Sequence, residues 1–268
     1  MLAGMIGVAL VSALAAIAVR SLGESATERV AAAGARTTQE GTARVSMTTL
    51  LGTSEDAGQR SQAVGVIDFD AGRTAFQVRV GVPGQADGRA ATSVPVLTVT
   101  DGATTYLRSP DWPRSQPWVR YVEQGADGPT TGGGAGYDLG GQLDLLLGAA
   151  SAPEALGREE IRNVPTDHWR ATVDLAAAAA AGDGEQTAAL EQISALTDDG
   201  QLPLELWVDE LGRVRRLTYT LEVAGDEETA RVRTQVEYYD FGVEADVSVP
   251  ELTVDYAPPR AAEADAED

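Results

Sequence analysis

Along much of the chain apolar and polar residues alternate with a period of two, the spacing of a strand with one buried face. In the first such run Ala43, Val45, Met47, Thr49 and Leu51 alternate with Arg44, Ser46 and Thr48. Next, Ile67 and Phe69 lead into the turn Asp70-Ala71-Gly72, and Phe76, Val78 and Val80 follow it, opposed by Gln77 and Arg79. That is a hairpin closed by a glycine-containing turn. VPVLTVTDGATTYLR, residues 94–108, repeats the arrangement around Asp101-Gly102, and WVRYVE, residues 118–123, adds a short strand. In the second half, Trp169, Ala171, Val173 and Leu175 oppose His168, Arg170, Thr172 and Asp174. Leu204, Leu206 and Val208 then oppose Glu205 and Asp209, and the turn Glu210-Leu211-Gly212 leads to Leu217, Tyr219, Leu221 and Val223. Finally Val232, Thr234, Val236 and Tyr238 oppose Arg231, Arg233, Gln235 and Glu237.

Three or four stretches change to helical spacing. ESATERVAAAGAR, residues 24–36, is rich in helix formers with its charges to one side. Asp138 can cap a helix that presents Leu139, Leu143, Leu146 and Leu147 on one apolar side. The alanine-rich run from 176 to 196 is broken at Gly182-Asp183-Gly184. Two loops, 81–93 and 125–137, are dense in Gly and small polar residues and are expected to be exposed. The pattern predicts about eleven strands and no composition break between them. The expected fold class is therefore α+β: one large curled antiparallel sheet, with helices against its apolar, concave face. Residues 24–256 form this domain, and the acidic, Pro/Ala-rich residues 257–268 are a disordered tail.

The N-terminus stands apart. Residues 2–19 carry no charge, and at 1.5 Å per residue they reach about 27 Å, near the lower limit for crossing a bilayer. Residues 1–23 are expected to be either a signal peptide or an N-terminal membrane anchor, and both place the remainder outside the cytoplasm. No Lys or Arg precedes the apolar run, so its orientation has no support from flanking charge.

Composition narrows the partners. The net charge is −21, and all 20 basic residues are arginine. Such a field repels phosphate backbones, which excludes nucleic acid as a partner. Without cysteine there is no disulfide, thiolate metal site or thiol nucleophile.

Candidate chemistry is sparse. The sequence has no G-x-S-x-G elbow, P-loop, H-E-x-x-H or EF-hand loop. GGGAGYDLGG shares only glycine content with a phosphate loop. Asp70, Asp198, Asp199, Asp209 and Glu210 sit at turns, where carboxylates bond nearby backbone. Glu159 and Glu160 are adjacent in a strand and face opposite ways. His168, the sole histidine, falls on the polar face of its strand and is expected to be solvated or paired at the surface. The reading is of a binding protein with no enzyme activity, cofactor or metal.

Three segments carry a family likeness: VPTDHWRATVDL with the alanine-rich insert after it, LPLELWVDELGRVRRLTYTLEV, and VEYYDFGVEADVSVPE. Together they resemble the LppX/LprA/LprF/LprG-type envelope lipoproteins of actinobacteria, which have the LolA-like fold. The likeness spans roughly residues 25 to 255. It is most specific in the W-V-D-x-x-G-R-V-R-R hairpin and the Y-x-D-F-G strand end. It implies an incomplete β-barrel that holds an acylated lipid, glycolipid or lipoglycan and carries it through the cell envelope. A membrane contact through the N-terminal segment and a transport partner protein are also implied. The residues expected to line a lipid cavity are Val45, Met47, Ile67, Phe69, Phe76, Val78, Leu139, Leu143, Leu146, Leu147, Trp169, Leu204, Leu206, Leu217, Tyr219, Leu221, Val236 and Tyr238. An ordinary packed core is the alternative for the same residues. A non-enzymatic envelope sensor or adaptor that binds a membrane protein is the alternative function. The family's lipid-modified cysteine is absent here, which leaves attachment to the apolar segment, or release.

Overall fold

The computed structural model describes residues 24–52, 58–81, 94–102, 104–113, 115–122, 143, 147, 150–182, 184–195, 197, 199–224, 229–245 and 247–256. The apolar N-terminus, the tail from 257, nearly all of both glycine-rich loops, and Leu139 and Leu146 lie outside them. Twelve strands form one sheet: β1 (Thr42–Gly52), β2 (Gly58–Asp68), β3 (Arg73–Val80), β4 (Val94–Asp101), β5 (Thr104–Arg108), β6 (Trp118–Val122), β7 (Ala150–Ile161), β8 (Val164–Asp174), β9 (Gln201–Asp209), β10 (Val214–Ala224), β11 (Thr229–Tyr239) and β12 (Thr253–Asp255). Their order is β12-β6-β5-β4-β3-β2-β1-β11-β10-β9-β8-β7, an open sheet with β12 and β7 at its edges. Helices α1 (Ala26–Thr38), α2 (Leu175–Ala181) and α3 (Gly184–Ala195) complete the α+β fold.

The period-two pattern becomes a register that can be followed across the molecule. Val78, Ala63, Met47, Val236, Leu217, Leu206 and Trp169 stand opposite one another on successive strands from β3 to β8. This inner face joins Val30 and Ala33 of α1, Leu175 and Ala178 of α2, Leu190 of α3, and Leu143 and Leu147 in one buried cluster. Leu143 and Leu147 are themselves helical and buried, as their spacing predicts.

Helix α1 is fixed at both ends. Ser25 and Glu28 form a capping box: the Ser25 Oγ accepts from the Glu28 amide, and the Glu28 carboxylate accepts from the Ser25 amide. At the other end the buried Thr37 donates its hydroxyl to Ala33 O at 2.6 Å and accepts from Val214 N at 2.8 Å. That second bond ties the helix to the start of β10.

The sheet departs from the expected antiparallel plan at one edge. β12 pairs with β6 in parallel. The cause is the connection before it: after β11 the chain crosses the outer face, and Val247 packs on Val99 and Tyr106, with Ala245, Val249 and Trp118 around them. The strap is held at its start by the Thr42 hydroxyl, which donates to Val243 O at 2.6 Å. It reaches β6 running in the same direction, so the last pair cannot be antiparallel. The β7 edge is instead broken by two register shifts and by positive φ at Ala152 and Gly157, irregularities that discourage pairing with another chain.

Candidate functional site

The inner face does not end where the helices do. From Phe76, register places Thr98, Leu107, Val119 and Val254 in one row across β4, β5, β6 and β12. Exposure rises along this row: Phe76 is 4% exposed, Leu107 and Val119 are half-buried, and Val254 is 47% exposed. Thr98 interrupts the row only nominally, because its hydroxyl is turned to Phe76 O. A second row lies beside it: Ile67, Thr74, Thr100, Thr105 and Tyr121 are successive register partners. Tyr256 follows at the edge, its ring 5.9 Å from that of Tyr121. One row thus offers hydrocarbon and the other hydroxyl groups, side by side from the core to the sheet edge.

Charge is kept off this end of the inner face. Arg73 and Asp101 form a salt bridge at 2.9 Å, and Arg120 and Asp255 one at 2.7 Å, but their register puts both pairs on the outer face. Among the described residues of β3 to β6 and β12, the inner positions hold only aliphatic, aromatic and hydroxyl side chains. Two of the hydroxyls, Thr74 Oγ1 and Thr100 Oγ1, are buried with no hydrogen-bond partner, as is Trp169 Nε1 further along the face.

The candidate cavity residues that fall on described positions converge. Val45, Met47, Ile67, Phe76, Leu143, Leu147, Leu204, Leu206, Leu217, Leu221, Val236 and Tyr238 are buried in the single inner cluster, and Phe69, Val78, Trp169 and Tyr219 pack against it. Burial pushes the Tyr219 hydroxyl above the ordinary tyrosine value, with a hydrogen bond to Thr234 acting the other way. Missing from the sequence expectation were Leu107, Val119, Tyr121, Val254 and the threonine pair. The alternation in residues 94–108 and 118–123 offers Leu107, Val119 and Tyr121 as one-sided positions, and register in the structure puts them on the same face.

The segment around His168 corrects an expectation. It does lie on the outer, polar face, paired to carboxylates: Nδ1 is 3.1 Å from Glu159 Oε1 and Nε2 is 3.3 Å from Glu205 Oε2. It is nonetheless buried, at 8% exposure. The reason is Trp207, its register partner on β9, whose ring stacks on the imidazole at 4.1 Å and 14°. Arg216 covers the indole at 5.2 Å, and the indole N–H donates to Glu159 at 3.0 Å. This is a closed stack with every polar end engaged. Among the described residues no group of His, Asp and Glu is placed to hold a metal ion.

A separate cleft of about 290 Å³ opens between α2 and α3, lined by Leu175, Ala176, Ala179, Ala180, Thr187, Glu191 and Ser194. It owes its volume to the alanines of α2, which fill little of the space a larger side chain would occupy.

No family model matches the chain. Over 152 residues it is 28% identical to an uncharacterized 31.2 kDa protein of the rplA-rplJ intergenic region of Streptomyces griseus, and the match spans about half of that relative's length (48%). Among solved structures it is similar to LprF from Mycobacterium bovis, at 14% identity and a TM-score of 0.47, covering 84% of this chain and 96% of that one. It is also similar to the lipoprotein LppX from Mycobacterium tuberculosis, at 11% identity and a TM-score of 0.44, covering 82% and 98%. A LolA superfamily protein from Nitrosomonas europaea aligns at 12% identity and a TM-score of 0.27, covering 81% and 93%.

Proposed function

We propose that this chain is an extracytoplasmic, lipid- or lipoglycan-binding carrier of the cell envelope, which holds acyl chains along the inner face of its sheet. The observation that carries the reading is the apolar row from Phe76 to Val254, continuous with the core at one end and open to solvent at the other. A contiguous apolar surface left uncovered on a soluble domain marks something that binds there. An acyl chain needs only such a surface: at about 0.8 kcal/mol per buried methylene, a dozen carbons supply about 10 kcal/mol before the cost of immobilising them. The sequence likeness to envelope lipoproteins supports the same reading, as does the uncharged run at the N-terminus, whether it serves as an export signal or as a membrane anchor.

The test is direct. The full chain is purified from envelope, extracted with organic solvent and examined by mass spectrometry, alongside a Val119→Glu variant. Wild type should return an acyl lipid in near-stoichiometric amount and the variant should not. An empty wild-type extract that also fails to load from vesicles would refute the proposal. Equal lipid in both extracts would assign it to the N-terminal segment instead of the sheet.

A further inference from the structure

Thr74 and Thr100 face each other across β3 and β4, 2% and 4% exposed, and neither hydroxyl has a hydrogen-bond partner among the described residues. A buried hydroxyl left unpaired is destabilising, and nearly all such groups in folded proteins are satisfied. Valine has the same shape and the same strand preference without that penalty, and valine does occupy the equivalent positions two rows away, at Val78 and Val96. The row continues outward through Thr105, Tyr121 and Tyr256, so the hydroxyls form a track beside the apolar row.

We propose that Thr74 and Thr100 are the polar anchor of this face, and that the bound lipid is an uncharged acyl ester whose carbonyl oxygen accepts from both hydroxyls. The inference rests on the lipid-binding reading and adds the ligand's chemical class. Directly opposed residues of an antiparallel pair have Cβ atoms about 5 Å apart, so the two hydroxyls can converge on one oxygen. A carbonyl has two lone pairs to receive them. A charged headgroup is disfavoured, because the described inner positions of β3 to β6 and β12 offer no counter-charge. With the carbonyl at the threonines, the acyl chain lies along Leu107, Val119 and Val254, and the remaining hydroxyls of a glycerol or sugar meet Thr105 and Tyr121.

The experiment compares 1-palmitoylglycerol with 1-O-hexadecylglycerol, an ether that lacks only the carbonyl, by calorimetric titration of the full chain. Wild type should bind the ester about tenfold more tightly, the value of about 1.4 kcal/mol of hydrogen bonding. The double variant T74V/T100V should bring the two affinities within about twofold while binding the ether as wild type does. Its urea midpoint should equal or exceed that of wild type, since unpaired hydroxyls have been removed. The single variants T74V and T100V, each expected to lose part of the preference, serve if the double variant does not fold. Equal affinities in wild type, a preference that survives in T74V/T100V, or a fall in its urea midpoint would each overturn the anchor and leave lipid binding standing. Failure of wild type to bind either compound would overturn the lipid reading itself.

Discussion

Outside the inner face, Asp209 is a residue whose loss the structure makes costly. It ends β9 with its side chain 3% exposed. One oxygen accepts from the amides of Leu211 and Arg213 at 3.0 Å, and the other accepts from the Arg213 guanidinium at 2.9 Å, with Arg215 at 3.6 Å. Both arginines are largely out of water, at 17% and 11% exposure, and each covers the ring of Phe241. Burial lowers the pKa of Arg215, and the charge of Asp209 is the largest effect opposing that shift. Asp209→Ala therefore strands two turn amides and the desolvated Arg215 and leaves Arg213 only its 3.4 Å pair with Glu40, and breaking a buried pair of this kind costs about 3–5 kcal/mol. That is a large share of a domain stability of about 5–15 kcal/mol. Asp209→Asn keeps an acceptor for the amides but removes the charge, so about half the loss is expected. Urea unfolding followed by tryptophan fluorescence measures both, and Arg215→Met in the Asp209→Ala background should recover part of the loss by removing a stranded cation. Glu222→Ala is the control, because its pair with Arg231 is more than half exposed and should be worth under about 1 kcal/mol. If Asp209→Ala costs no more than Glu222→Ala, the reasoning about the buried hairpin is wrong.

Three further outcomes are expected. At Gly65 a Cβ would stand 1.9 Å from the Ala75 carbonyl oxygen and 2.8 Å from Phe76 Cα, so Gly65→Ala forces β2 and β3 apart; circular dichroism should find the variant largely unfolded or melting more than about 10 °C lower, corresponding to about 3 kcal/mol or more. His168→Ala should lose about 1–2 kcal/mol through the Trp207 stack yet bind lipid as wild type does, whereas lost binding with intact stability would give the histidine a function. The Glu28 carboxylate is held below its ordinary 4.5 first by the Ser25 amide and then by the Ser25 hydroxyl, so its contribution is full above pH 4.5 and fades as pH falls through the lower folded value. Melting curves of wild type should drop relative to Glu28→Gln across that acid window, and parallel curves would count against the capping box.

Most of the sheet was legible because one-sided burial writes itself into the sequence with a period of two. The inner row from Val78 through Met47, Val236, Leu217 and Leu206 to Trp169 is that alternation in three dimensions. The same rule explains what it could not reveal. Ala245, Val247 and Val249 also alternate, but they belong to a strap that covers the outer face and joins no ladder. Alternation reports that one side of an extended segment is covered; it is silent about whether the backbone is paired to a neighbouring strand. Strand β12, only three residues long, has no room for a periodic signal, and its parallel pairing follows from the strap before it.

The candidate site was legible by the same measure, residue by residue. Val45, Leu204 and Val236, expected to line a lipid cavity or else a packed core, are buried on the inner face, but periodicity assigns a face and cannot say whether that face is filled or open. That distinction appears only when exposure climbs along one register row, from Phe76 to Val254. Thr74 and Thr100 were passed over for a further reason. In a strand pattern threonine reads as either an apolar or a polar position, being β-branched like valine and hydroxylated like serine. Its meaning depends on whether the hydroxyl finds a partner. Thr37 spends its hydroxyl on Ala33 O and the Val214 amide, and Thr42 on Val243 O. Those two hold the fold together, whereas Thr74 and Thr100 leave theirs unpaired on the inner face.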